Sequence, residues 1–179
     1  VLRYGSDRTF VEESSTAPLG VTTATYDDEL FFNGTGGFTY LYTFDEVDSS
    51  LTIFGQYLYN GEGYDDPSVL GDNPVGVAAL RDSGALTQSD LRETGKHYGA
   101  ANVGWNGIFG SDLTVSAFWI HNFSDMSGYV TPKITLSILD RMDASVNFSY
   151  RYGDEGDEYT PTGDGLTVSL SAAMGGGSF

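Results

Sequence analysis

The residues with the means to do chemistry are few and scattered. His97 and His121 are the only histidines. His121 stands in "HNFSD", within reach along the chain of Ser124 and Asp125. Those types suit proton transfer and an activated nucleophile, provided geometry brings them together. Asp154, Glu155, Asp157 and Glu158 crowd into "YGDEGDEYTPTGDG". Clustered carboxylates suit weak Ca²⁺ binding through oxygen ligands, but the spacing is not that of an EF-hand. The blander expectation is a solvated acidic loop with no cofactor. Lys133 and Arg151 are isolated bases among hydroxyl and amide neighbours. They suit either a local positive field that selects solutes or simple pairing with an acid.

The elements that must carry these residues are strands. In "DASVNFSYRY", Ala144, Val146, Phe148, Tyr150 and Tyr152 alternate with Ser145, Asn147, Ser149 and Arg151. Period-two alternation of this kind predicts a strand with two unlike faces. "YVTPKITLSIL" repeats it, with Lys133 on the polar side. Pro132 lacks a ladder donor and is expected near a strand end or a distortion. Leu30–Phe44 and Leu51–Asn60 continue the pattern. They set Phe38, Tyr40, Tyr42 and Phe44, then Tyr57 and Tyr59, opposite threonines, Gln56 and Asn60. Phe54 and Leu58 break it. Weaker alternation marks strands over His97–Phe109 and Leu113–Phe123, with a short first strand in Val1–Phe10 and a last one in Leu166–Met174.

Connections alternate in length. "DEVDSS", "GSD" and "DRMD" are short; Val11–Asp28, Gly61–Lys96, Ser124–Gly128 and Gly153–Gly165 are longer. An up-and-down antiparallel sheet crossing a membrane has this rhythm, with tight turns on one side and long loops on the other. Both chain ends then lie on the tight-turn side. Gly61–Lys96 is the longest, exposed loop. "TQSDLRETG" within it predicts a short helix, with Thr87 as cap, Asp90 three residues on, and Gly95 as its end.

Composition bounds the function. The 179 residues suffice for one domain, 25 acids stand against 8 bases, and cysteine is absent, which excludes disulfides and thiolate metal sites. A formal net charge of −17 argues against a nucleic-acid partner. The 24 glycines, 12 tyrosines and 11 phenylalanines favour strands and turns. No apolar run is long enough for a transmembrane helix, and the first residues are not a signal peptide. A start inside a strand-like pattern suggests the C-terminal part of something larger. Strands of about ten residues cross a bilayer when tilted. The apolar faces end in aromatics, Tyr57, Tyr59, Tyr150 and Tyr152 towards the long loops and Phe44, Phe109 and Phe179 towards the turns, as two membrane interfaces select. Lys133, Arg151, Gln56 and Asn147 then face the lumen. A soluble β-sandwich or jelly roll alternates too, with the sign of its faces reversed.

With these features the sequence resembles the bacterial outer-membrane β-barrel proteins of the porin type. The residues carrying the likeness are "LTVSLSAAMGGGSF" with its terminal Phe179, the tight turns and the aromatic strand ends. The resemblance implies an antiparallel up-and-down transmembrane β-barrel of about eight strands, with both termini periplasmic. It implies outer-membrane lipid and the barrel-assembly machinery as partners, with Phe179 as the assembly signal. Counted back from Phe179, however, Gly177, Gly175, Ala173 and Ser171 hold the positions where that class has apolar residues. A bulge in the glycine run would reconcile the parity. The phospholipases among such barrels use a His-x-Ser spacing, one residue shorter than "HNFS". The expected activity is passive passage of small solutes through a polar lumen, tuned by its charges and the Gly61–Lys96 loop. The alternatives are a non-porous structural or surface-binding barrel and a barrel enzyme.

Overall fold

A computed structural model describes residues 2–91, 94–139 and 142–174. Eight strands follow one another in an antiparallel meander. They are β1 (Leu2–Glu13), β2 (Val21–Phe44), β3 (Ser49–Asn60), β4 (His97–Asn106), β5 (Leu113–Asn122), β6 (Ser127–Leu139), β7 (Met142–Tyr152) and β8 (Gly165–Met174). Each pairs with its neighbours in sequence, and no pairing joins β8 to β1 or β2 among the described residues. The closed barrel expected from the sequence is therefore not formed by these strands alone.

The 24-residue β2 divides its partners. Its first half, Val21 to Phe32, pairs with β1. Its second half, Asn33 to Phe44, pairs with β3. The result is a seven-stranded sheet, β2 to β8, from which a two-stranded hairpin continues past the long-loop end. The supposed first link, Val11–Asp28, is thus mostly the tip and arms of this hairpin. β-branched residues in "VTTATY" extend the strand, and Gly20 supplies the left-handed φ of 78° that the turn needs.

Register places the side chains. Ile53 pairs with Tyr40 and Val103, Val103 with Ala117, and Ala117 with Pro132. Paired residues share a face. Extending the register joins Phe38, Leu51, Val115, Val130, Ile134, Val146, Phe148, Val168 and Leu170 into one apolar face. The opposite face carries Thr39, Thr52, Asn102, Ser116, Thr131, Asn147 and Ser169. The apolar face is not covered by a second layer: Leu170 is 78 % exposed, Leu166 68 % and Phe38 62 %.

The buried apolar cluster lies elsewhere. Val11 and Val21 of the hairpin pack with Leu86, and Val69, Leu70, Val77 and Leu80 surround them. The last four come from α1 (Ser68–Asp72) and α2 (Pro74–Asp82) in segment 61–96. The described part of that segment packs on the hairpin through these residues, with Tyr64 and Asp90 buried, while residues such as Val75 and 81–85 stay exposed.

Two local expectations are corrected, and one holds in its second form, since Pro132 lies at a lapse in pairing rather than near a strand end. The helix expected from Thr87 is absent from the described part of that stretch, which forms turns; Asp90 does accept from Thr87 N at 2.8 Å. The helices lie upstream, where Pro74 opens α2 at a position whose N–H needs no partner. β4 ends at Asn106, so Phe109 sits in the following turn, at φ 53° and 81 % exposed. Pro132 sits well inside β6. Its ladder to β5 persists, while pairing with β7 lapses between Val130–Tyr150 and Lys133–Asn147. The glycine run and Phe179 lie outside the described residues.

Candidate functional site

At the long-loop end of the sheet, the segment between β7 and β8 turns inward over the polar face. Its anchor is Glu158. One carboxylate oxygen, Oε2, accepts from Tyr98 Oη at 2.6 Å, Thr94 Oγ1 at 3.1 Å and Asn122 Nδ2 at 3.1 Å. Tyr98 and Asn122 are neighbours across β4 and β5, so two strands and one loop converge on one oxygen. Glu158 N donates to Asp125 Oδ2 at 3.1 Å, and Tyr159 N to Ser127 Oγ at 3.3 Å. Thr160 Oγ1 closes the turn on Asp154 O at 2.6 Å. Asn122, Ser127 and Thr160 are fully buried. A Cβ on Gly95 would collide with the Asn122 amide, so only glycine lets the chain pass there.

Burial pushes the Glu158 carboxyl above its usual range, and the Asp125 charge adds to this; the bonds from Tyr98 and Thr94 oppose it. Asp157 is also raised, first by burial and then by Asp125, Asp154 and Asp66. The site is thus crowded with negative charge and short of solvent.

Beneath this loop lies a cavity of about 190 Å³ lined by Gln56, Leu58, Tyr98, Ala100, Ile120, Glu158 and Tyr159. Leu58, Ala100 and Ile120 make an aliphatic floor on an otherwise polar face. The Tyr159 ring meets Tyr129 at 5.5 Å, and Tyr129 meets Phe118 at 5.9 Å. Leu58, which broke the alternation of β3, belongs to this apolar patch, and Phe54, the other exception, falls on the same side of the sheet.

Gln56, Lys133, Asn147 and Arg151 all fall on the polar face. Lys133 pairs with Asn147 across β6 and β7. Gln56 donates to Thr35 Oγ1 at 2.7 Å. Among the described residues neither Lys133 nor Arg151 forms an ion pair. Asp143, held by Ser137 Oγ at 2.6 Å near a turn, is the other charge on that face of the seven-stranded sheet. Outside the hairpin, most described acids therefore sit in loops and turns, while the body of the polar face carries two bases with no ion pair among the described residues.

Aromatics gather at both ends of the apolar face. On the loop side, Tyr57 Oη meets His97 Nδ1 at 2.5 Å, and the rings of Tyr59 and His97 lie 5.4 Å apart. Trp119, His121, Tyr152 and Tyr150 stack in succession, with Trp119 Nε1 donating to Tyr152 Oη at 2.7 Å. On the turn side, Phe44 stacks on Trp105, which meets Phe109 at 5.7 Å.

The triad types near His121 do not converge. His121 is buried in the aromatic stack, with Nδ1 3.1 Å from Tyr152 Oη. Ser124 Oγ accepts from Lys96 N and His97 N, and Asp125 holds Ser127 N and Glu158 N. In the acidic run, Asp157 Oδ2 accepts from Asp154 N at 2.7 Å, and Asp154 and Glu155 are exposed. Among the described residues, no three carboxylates or histidines stand close enough to hold a metal ion.

The site residues the sequence did not single out are Tyr98, Thr94, Asn122 and Ser127. Only the misplaced apolar side chains of β3 signalled that something covers this part of the polar face. No family model, curated protein or solved structure matches the chain.

Proposed function

We propose that this chain forms the wall of a bacterial outer-membrane β-barrel through which small solutes diffuse. The observation that carries the reading is the uninterrupted apolar face, exposed on β2, β3, β4, β6, β7 and β8, half-buried along β5, and bounded by aromatics at both ends. A soluble sandwich would bury that face under a second sheet. A lipid-facing wall needs it bare, with rings at the two interfaces. The polar face then lines the lumen, and Lys133 and Arg151 give it a positive patch.

The outer edges of β2 (Asn33–Phe44) and β8 are unpaired among the described residues. An open edge leaves backbone donors and acceptors unsatisfied in hydrocarbon, so the working barrel closes through further strands. Outer-membrane lipid, the assembly machinery engaging Phe179, and periplasmic tight turns complete this proposal.

Planar-bilayer recording on the folded, inserted protein tests it. Stepwise conductance is expected. A protein that inserts but never conducts supports the second reading, a non-porous surface-binding barrel. That reading has its own observation, the loop pinned by Glu158 over the mouth. A monodisperse, folded protein in detergent-free buffer rules out both.

A further inference from the structure

We propose that the cavity under Glu158 and Tyr159 is a binding site for a small organic cation, an ammonium joined to one ring-sized apolar body. The site needs only the polar face and the folded loop, so it stands whether or not the wall conducts.

The floor sets the body of the ligand. Leu58, Ala100 and Ile120 come from three neighbouring strands and offer no polar group. A polyol laid there would lose hydrogen bonds to water without replacement, whereas an apolar ring loses none. Tyr98 and Tyr159 also line the cavity, and aromatic rings beside a site favour a cation over an anion.

The roof sets the charge. Glu158 lines the cavity, and Asp125 is bonded to its backbone N–H. Among the described residues, no base lines the cavity. An anion entering here would be repelled by Glu158, and a neutral body would add nothing to the three hydrogen bonds that already offset part of the burial cost of that carboxylate. An ammonium offsets that cost directly, because a partly buried carboxylate gains most from an opposite charge. The volume of about 190 Å³ admits one ring and a short arm.

The loop is built before any ligand arrives. Glu158, Tyr159 and Thr160 are fixed by hydrogen bonds to Tyr98, Thr94, Asn122, Asp125, Ser127 and Asp154. Binding therefore orders little that is not ordered already, which favours a site over a fortuitous gap.

The test is calorimetric titration of the folded full chain in a neutral detergent, with the empty-micelle signal subtracted. The probes are 2-phenylethylammonium, 2-phenylethanol and 3-phenylpropionate, which share a ring and differ in charge. Saturable binding of the ammonium is expected, about tenfold weaker binding of the alcohol, as a modest charge-assisted contact provides, and none of the carboxylate. Ala100→Phe and Gln56→Trp fill the cavity from different strands, and each is expected to abolish binding. Either suffices if the other loses its strand signal. Glu158→Gln is expected to erase the preference of ammonium over alcohol. Absence of saturable binding, equal affinity for all three probes, or undiminished binding to a folded cavity-filling variant overturns the proposal.

Discussion

Tyr98, the second residue of β4, donates its phenolic hydroxyl to Glu158 at 2.6 Å, across 60 positions of sequence. That bond ties the β7–β8 loop to the middle of the sheet. Its energetic weight comes from how many groups depend on one oxygen. Removing the carboxylate leaves Tyr98, Thr94 and Asn122 without their acceptor in a site with little water.

Glu158→Ala is expected to destabilise the loop by about 1–3 kcal/mol, the cost of stranding buried donors. Glu158→Gln keeps an acceptor and removes the charge, so it is expected to cost far less. Hydrogen exchange at the amides of Glu158, Tyr159 and Thr160 measures this. Fast exchange in the alanine variant and near-native protection in the glutamine variant are expected. Equal protection in all three proteins would show that Glu158 is not the anchor.

The pH dependence follows from the raised carboxyl of Glu158. A group whose folded pKa exceeds its unfolded value favours the folded state below the unfolded pKa, and loses that contribution as pH rises through the folded one. Loop docking should therefore tighten as pH falls from above the folded pKa of Glu158 towards the ordinary carboxylate range. Glu158→Gln should reduce that slope to the share that the raised Asp157 carboxyl supplies. Loop protection followed against pH in both proteins decides it. A native slope of opposite sign, or one the variant keeps in full, would contradict the assignment.

Lys133 and Arg151 give a prediction that holds for a conducting protein. They carry no ion pair among the described residues, so their charge acts on whatever passes the polar face. Lys133→Glu and Arg151→Glu should each move the reversal potential in a salt gradient towards cation preference. Unchanged reversal potentials in conducting variants would remove both residues from the lumen.

The legible part of the molecule was whatever is written in local alternation. The faces of β3, β6, β7 and β8 follow from period two, because each side chain's side is fixed by its own strand. The division of β2 between β1 and β3 was not legible, since "TATYDDELFF" reads only as loop followed by strand. Its pairing is decided by residues far along the chain, Phe10 against Ala24 and Asn60 against Asn33. Glu158 was read with its acidic neighbours as solvated, because nothing local separates it from Glu155. What separates them is the position of Tyr98, Asn122 and Thr94. The helix was set too late in segment 61–96, where Thr87 and Asp90 form their capping bond in a stretch that does not continue as helix. Tertiary packing of Val69, Leu70, Val77 and Leu80 on the hairpin decided its place instead.

The sign of the two faces is what the account depends on most, and depth-dependent quenching by brominated lipids reads it directly. In a Trp105→Phe, Trp119→Phe background, single tryptophans are placed at Ile134, Val168 and Leu170 on the apolar face, then at Thr135, Ser169 and Ser171 on the polar one. In lipid vesicles, strong quenching at the first three positions and little at the others is expected, alternating residue by residue along each strand. Quenching that fails to alternate, or that favours Thr135, Ser169 and Ser171, would contradict a lipid-facing apolar wall.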